Sequence, residues 1–357
     1  MAILVKVLEK AAWPLLEVLS FRLKREKVSI GVDLGSHLHK FVVLRRKGHQ
    51  YILKDWGIEL VPQLLDAEAL DTPINWNNRL TQWLKNGIQS SNIGVSVSGP
   101  RVIVKRLEFP AMSEQDIREH LKWELDRYIS SEMGEVLWDV HVSSTSSPVS
   151  SQKTQVLLIV AQKGWIDSIM SDFKGQEIGF VDVDTFALTN MVTVNYGVED
   201  AWLLTHIGPS GMLLLVIHQG EVVLCREVPF AVEWYGDLVD QIRFTEGPPT
   251  GEKQMEISAQ ILWEPYLEEV SGQIQAIIIE YSASESSQEL AGVILSGGYT
   301  VVEGMGMRLS QRLGLPVNPV DPFQMIEVPP AFSQDPTFVD AMPLLGVAVG
   351  VALRGHA

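Results

Sequence analysis

Three short segments carry the residue types that handle a phosphate. Residues 29–44 read SIGVDLGSHLHKFVVL: an apolar strand with Ile30 and Val32 runs into Asp33-Leu34-Gly35-Ser36, turns, and leaves as a second apolar strand. An acidic residue and a glycine at a hairpin tip are one way to build a phosphate cradle, because a residue without a side chain lets backbone N–H groups approach the anion. The second segment, LTHIGPSGMLLLVIHQGEVVLC, repeats that layout. Asp33 falls on His206, Leu34 on Ile207 and Gly35 on Gly208, and each copy continues through an apolar strand, a glycine-containing tight turn (Gly48, Gly220) and another strand. The third, VILSGGYT, sets Gly297-Gly298 at the C-terminal end of a strand, where α/β sheets place ligands and bare glycines accept a flat adenine or ribose. Two such tips entering a cleft from opposite sides would clamp the phosphates of one nucleotide. The plainer alternative is that all three are ordinary tight turns of an α/β protein.

The elements around these tips divide the chain. Over residues 1–27, Leu4, Leu8, Leu15, Leu19 and Leu23 recur at helical spacing, and six Lys/Arg stand against three Glu. This predicts an amphipathic helical extension that packs on protein or lies on an anionic membrane surface, with Pro14 kinking or splitting it. From Val28 the pattern is strand-rich, followed by a helix carrying Trp76, Leu80, Trp83 and Leu84 on one face. Residues 92–176 read as a small inserted β-β-α-β-β-α module, whose first helix starts on the capping-box-like Ser113-Glu114-Gln115-Asp116. One lobe is assigned to 28–91, 177–200 and 322–357, and a second to 201–321. The tract from Asp340 to Gly355 reads as a terminal helix.

Composition removes several classes of function. A formal net charge of -16 argues against a nucleic-acid binder, which needs a basic face. The single cysteine, Cys225, allows no intramolecular disulfide and reads as core filler on a strand. No apolar run reaches the roughly 18–20 residues that span a bilayer, and charges interrupt the N-terminal segment where a signal peptide needs an unbroken apolar centre. The eight histidines are scattered, and His37 with His39 is too little to argue a zinc site.

Taken together, GVDLGSHLHKFVVL, SGPRVIVKRLEFPAMSEQDIREHLKWELDRYI, VDVDTFALTN, HIGPSGMLLLVIHQGEVVLCREVPF, VILSGGYTVVEGMGMRLSQRLGLPVNPVDPF and AVGVALR resemble the PilM family of type IV pilus assembly proteins, within the actin-like ATPase superfamily. The resemblance runs along nearly the whole chain after Lys27. It implies an α/β fold, actin-like (ribonuclease H-like), with two lobes around an ATP cleft and an inserted module like that of the cell-division protein FtsA. It carries the first phosphate hairpin onto Asp33, Gly35, Ser36 and Lys40, with Asp33 near a magnesium ion through water. It carries the second hairpin onto Gly208, Ser210 and Gly211, and the adenosine-side turn onto Gly297 and Gly298. It further implies a cytoplasmic protein peripheral to the inner membrane, a partner in the short cytoplasmic N-terminal peptide of a PilN-like membrane protein, and a link to the pilus motor ATPase. Contact with lipid would run through residues 1–27.

The departures from that pattern are specific. The second hairpin has His206-Ile207-Gly208 where the family has Asp-Ile-Gly, and a neutral imidazole cannot replace a carboxylate facing Asp33. Pro209 and Met212 stand where small or hydroxyl residues are expected, and His37 and Leu38 replace small serines. Ile129-Ser130-Ser131 replaces Ile-Pro-Phe, and the helix segment that approaches adenosine has no clear match around GEKQMEI. The expectation is therefore an ATP- and magnesium-type cleft on an assembly scaffold, with hydrolysis weak or lost. Two alternatives are an active ATPase whose nucleotide cycle regulates pilus assembly, and an FtsA-like filament former. FtsA-like chains usually end in a basic amphipathic helix, whereas here that segment stands at the front. A type II secretion relative of similar fold would continue into a transmembrane helix.

Overall fold

The computed structural model describes residues 27–60, 78–85, 92–143, 153–173, 178–209, 211–229, 257–284, 287–302 and 304–356. The expected N-terminal amphipathic helix and Trp76 lie outside these residues. In chain order come strands β1 (Lys27–Leu34), β2 (Leu38–Lys47) and β3 (Gln50–Leu60), helix α1 (Asn78–Lys85) and strand β4 (Ile93–Val97). Next are β5 (Val102–Pro110), α2 (Glu114–Glu124), β6 (Val136–Val142), β7 (Lys153–Gln162) and α3 (Lys163–Asp172). Then follow β8 (Phe180–Val183), α4 (Asp184–Tyr196), β9 (Ala201–Gly208), β10 (Gly211–His218), β11 (Glu221–Val228), α5 (Ile257–Ser282), β12 (Leu290–Ser296) and α6 (Met305–Leu313). The last elements are β13 (Val317–Pro319), β14 (Ile326–Glu327), α7 (Pro336–Ala341) and α8 (Gly346–Arg354).

Two sheets repeat one plan. The first has the order β14-β3-β2-β1-β4-β8 and the second β11-β10-β9-β12-β13. In each, a three-stranded antiparallel meander is extended by two parallel strands, and in the first sheet β14 adds a further parallel strand on the outer edge of β3. The hairpin repeat read from the sequence is therefore the opening of two equivalent sheets. The turn joining β10 to β11 has positive φ at both Gln219 (55°) and Gly220 (75°), the backbone of a two-residue hairpin turn whose twist matches that of the strands.

Helices α4 and α8 lie between the two sheets. Ala187, Leu188, Met191 and Val192 of α4, and Val347 to Leu353 of α8, share one core with Val42, Leu44 and Leu53 of the first sheet and Leu204, Leu213, Leu215 and Ile294 of the second. Each of these buried Leu, Val or Ile side chains stabilises the fold by roughly 1.5–3 kcal/mol relative to exposure. Glycines permit the approach of α8: a Cβ on Gly31 of β1 would come within 2.1 Å of the Ala348 carbonyl oxygen, and one on Gly350 within 1.7 Å of that of Ala187. The terminal tract is not one helix. It breaks between α7 and α8, which meet at 75°, where Pro343 removes a backbone donor. Among the described residues no single helix is long and apolar enough to cross a membrane, and the bent α7–α8 pair that passes by length and composition has Gly346–Leu353 buried in this core.

The inserted module is smaller than the sequence pattern predicts. The strand expected to open it, Ile93–Val97, belongs to the first sheet, parallel to β1 and β8. The module sheet starts at Val102 and has the order β5-β7-β6. Its core sets Ile117 and Leu121 of α2 against Leu107 and Phe109 of β5, Val140 of β6, and Val156, Leu158 and Val160 of β7. The capping expected at Ser113 is present, its hydroxyl accepting from the Asp116 N–H at 3.2 Å and donating to the Asp116 carboxylate at 2.6 Å. The module packs on the lobe cores through Leu157 of β7 and through Ile166 and Ile169 of α3, and His141 of β6 adds a polar contact. Its Nε2 lies 2.8 Å from the Glu221 carboxylate at the start of β11, and its ring meets Phe186 of α4 edge-on at 5.1 Å between centroids.

Candidate functional site

Sheet register decides what surrounds each hairpin tip. Antiparallel pairing of β1 with β2 sets Asp33 opposite Lys40, and parallel pairing of β1 with β4 sets Ser96 on its other side. In the second sheet the same two pairings set His206 between Leu213 and Ser296. The triplets Lys40–Asp33–Ser96 and Leu213–His206–Ser296 are thus structural equivalents. One carries an ion pair and the other carries neither charge.

The sequence-derived residues converge on one cavity of about 1070 Å³. Asp33, Gly35, Ser36 and Lys40 line it from the first hairpin, Gly208 and Gly211 from the second, and Gly297 and Gly298 from the end of β12. Ser210 lies outside the described residues. Gly297 has φ +91°, and a Cβ there would lie 2.3 Å from the Ile207 carbonyl oxygen, so glycine is required for the end of β12 to pass against β9.

In the cavity lining the Lys40 ammonium donates to the Asp33 carboxylate at 2.5 Å, with side-chain exposures of 12% and 5%. Gly35 lies beside this pair: a Cβ there would come within 2.8 Å of the Leu38 carbonyl oxygen, 3.4 Å of Lys40 Nζ and 3.7 Å of Asp33 Oδ1. Across the cavity, His206 Nδ1 lies 3.1 Å from the Ser296 hydroxyl. Burial, followed by the Lys40 charge, pushes His206 down to about 4, so its imidazole is neutral at pH 7.

Two carboxyl groups in the cavity wall were not among the residues read from the sequence. Asp184, the first residue of α4, accepts from the Ser96 hydroxyl at 2.7 Å and from Ser98. Burial, and then the charge of Asp33, push it up to about 7. Glu227 of β11 is pushed up to about 7 by enclosure alone. An acid at the start of a helix reads locally as a helix-end charge. The signal that distinguishes Asp184 is spatial, namely its proximity to Asp33.

The cavity accommodates a nucleotide by volume and by its glycine-lined tips. The same residues do not fit the magnesium ion expected at Asp33. That carboxylate is already matched by an ammonium, Asp184 is held by two serine hydroxyls, and the position facing Asp33 is a neutral imidazole. Among the described residues no group of three His, Cys, Asp or Glu could hold a metal ion.

Two duplicated sheets around a cleft, with a small module inserted in the first lobe, define an actin-like fold. Residues 31–356 match the family model described as "Type IV pilus assembly protein PilM", and the chain belongs to that family. It is similar to the structure of a PilM–PilN type IV pilus biogenesis complex at 19% identity, with 92% of this chain and 98% of that chain covered and a TM-score of 0.68. Weaker similarity extends to the ethanolamine utilization protein EutJ from Carboxydothermus hydrogenoformans (13% identity, 91% and 89% covered, TM-score 0.46) and to MreB5 of Spiroplasma citri (13% identity, 91% and 94% covered, TM-score 0.42).

Proposed function

We propose that this protein is a scaffold on the cytoplasmic face of a type IV pilus or related machine, holding the short cytoplasmic peptide of a PilN-like inner-membrane protein. The observation that carries this reading is the family match over residues 31–356, supported by the likeness to a PilM–PilN complex. The cleft is read as a nucleotide site with hydrolysis weak or lost, because the second hairpin offers His206 and Leu213 where the first has Asp33 and Lys40. A link to the motor ATPase and a lipid contact through residues 1–27 belong to the same proposal. The test is fluorescence anisotropy with a labelled peptide from the cytoplasmic N-terminus of a PilN-like inner-membrane protein of the same organism. Saturable binding is expected, and no binding at high micromolar protein counts against the scaffold.

A second reading, an active ATPase, is favoured by one observation: Asp184 offers a carboxyl that exchanges its proton near neutral pH inside the cavity. Phosphate release by the wild type, Asp33→Ala and Asp184→Asn decides between them. Equal background rates in all three would sink the enzyme.

A further inference from the structure

We propose that the Lys40 ammonium, seated on Asp33, is the built-in counter-cation of the cleft, so that the nucleotide binds without a divalent metal. This rests on the nucleotide reading above. Lys40 is the one Lys or Arg among the described residues lining the cavity. An ammonium has three N–H donors, and the ion pair with Asp33 at 2.5 Å uses one of them. Gly35 lines the cavity beside it, and a Cβ there would lie 3.4 Å from Nζ, so the residue next to the ammonium adds no side chain to the space a phosphate would use.

The opposite wall argues the same way. A hydrated magnesium ion is held by one or two carboxylates together with the phosphates of its substrate. Here the carboxylate of the first hairpin is matched by Lys40, and the equivalent pair in the second hairpin is His206 and Leu213. Asp184, the other acid beside Asp33, already accepts the Ser96 hydroxyl at 2.7 Å. A metal-bound nucleotide would bring a second cation to a carboxylate that has one, whereas a metal-free nucleotide offers phosphate oxygens to the Lys40 donors that the Asp33 pair does not use.

The experiment is calorimetric titration of the full chain with ATP and with ADP, in excess magnesium chloride and in excess EDTA. Affinities in the two buffers are expected to agree within about threefold, and Lys40→Met is expected to lose more than about tenfold in EDTA, or about 1.4 kcal/mol. Because Lys40→Met leaves Asp33 buried without its partner, Asp33→Asn/Lys40→Met is measured beside it, and thermal melts establish that each is folded. His206→Asp is expected to create a preference for magnesium that the wild type lacks. Binding that falls more than about tenfold in EDTA, or that survives both Lys40 variants unchanged, overturns the proposal while leaving the nucleotide reading in place. Absence of binding in both buffers overturns the two together.

Discussion

The hydroxyl of Ser96 donates to the carboxylate of Asp184 at 2.7 Å, joining the end of β4 to the first residue of α4 inside the cleft. That contact lowers the pKa of Asp184, but burial and the nearby Asp33 outweigh it and hold the acid at about 7 against an ordinary 3.8. Between those two values the native chain keeps a proton that the unfolded chain has released, so stability declines as pH rises from about 4 to about 7 and levels off above. Asp184→Asn keeps an acceptor for Ser96 without the charge. It is expected to melt at a higher temperature than the wild type at pH 8, with the difference shrinking toward about pH 4.

His206 has the opposite slope. Its pKa is lowered from 6.5 to about 4, so below 6.5 the unfolded chain binds a proton that the native chain refuses, and stability falls as pH drops toward 4. His206→Asn should flatten part of this acid limb in urea titrations between about pH 4.5 and 7. A residual slope is expected from His356, which burial also lowers to about 4.

Gly350 admits no side chain. A Cβ would lie 1.7 Å from the carbonyl oxygen of Ala187, a backbone atom of α4 that cannot swing aside. Gly350→Ala is expected to cost at least about 3 kcal/mol, read as a lower urea midpoint or as loss of soluble protein. Gly272 on α5, where a Cβ meets open space, serves as the comparison, and Gly272→Ala should leave the midpoint unchanged or raise it.

The contact between His141 and Glu221 holds the module against the second lobe. With side-chain exposures of 40% and 20%, it is worth no more than about 1 kcal/mol to global stability. Its effect should be local: His141→Ala is expected to speed amide exchange in β6 and β7 while leaving β9 and β10 unchanged. Equal protection in all four strands would rule the tie out.

Much of this architecture is legible in the sequence because the two hairpins repeat a short pattern of apolar strand, acid or histidine, glycine and strand. What fails is what depends on distant pairing. Ile93–Val97 reads as the start of the module since it runs directly into the Gly99-Pro100 turn before β5, yet its partners are β1 and β8. A strand buried on both faces has no alternation to say which neighbour it takes. The Lys40–Asp33 pair follows from hairpin register, whereas Asp184 enters the cleft only once β8 is laid beside β4, 88 residues from its serine partner.

The position of α8 has a consequence for synthesis. The Ser29 hydroxyl of β1 donates to the Ala352 carbonyl at 2.7 Å across a sequence separation of 323 residues. During translation five strands of the first sheet, β1 to β4 and β8, therefore emerge early with their inner face bare, and wait for nearly the whole chain before the covering helix leaves the ribosome. The second sheet buries one face against α5 in a core of its own, and only its other face waits for α8. That α5-covered half of the second lobe is expected to form before α8 closes the shared core on both sheets.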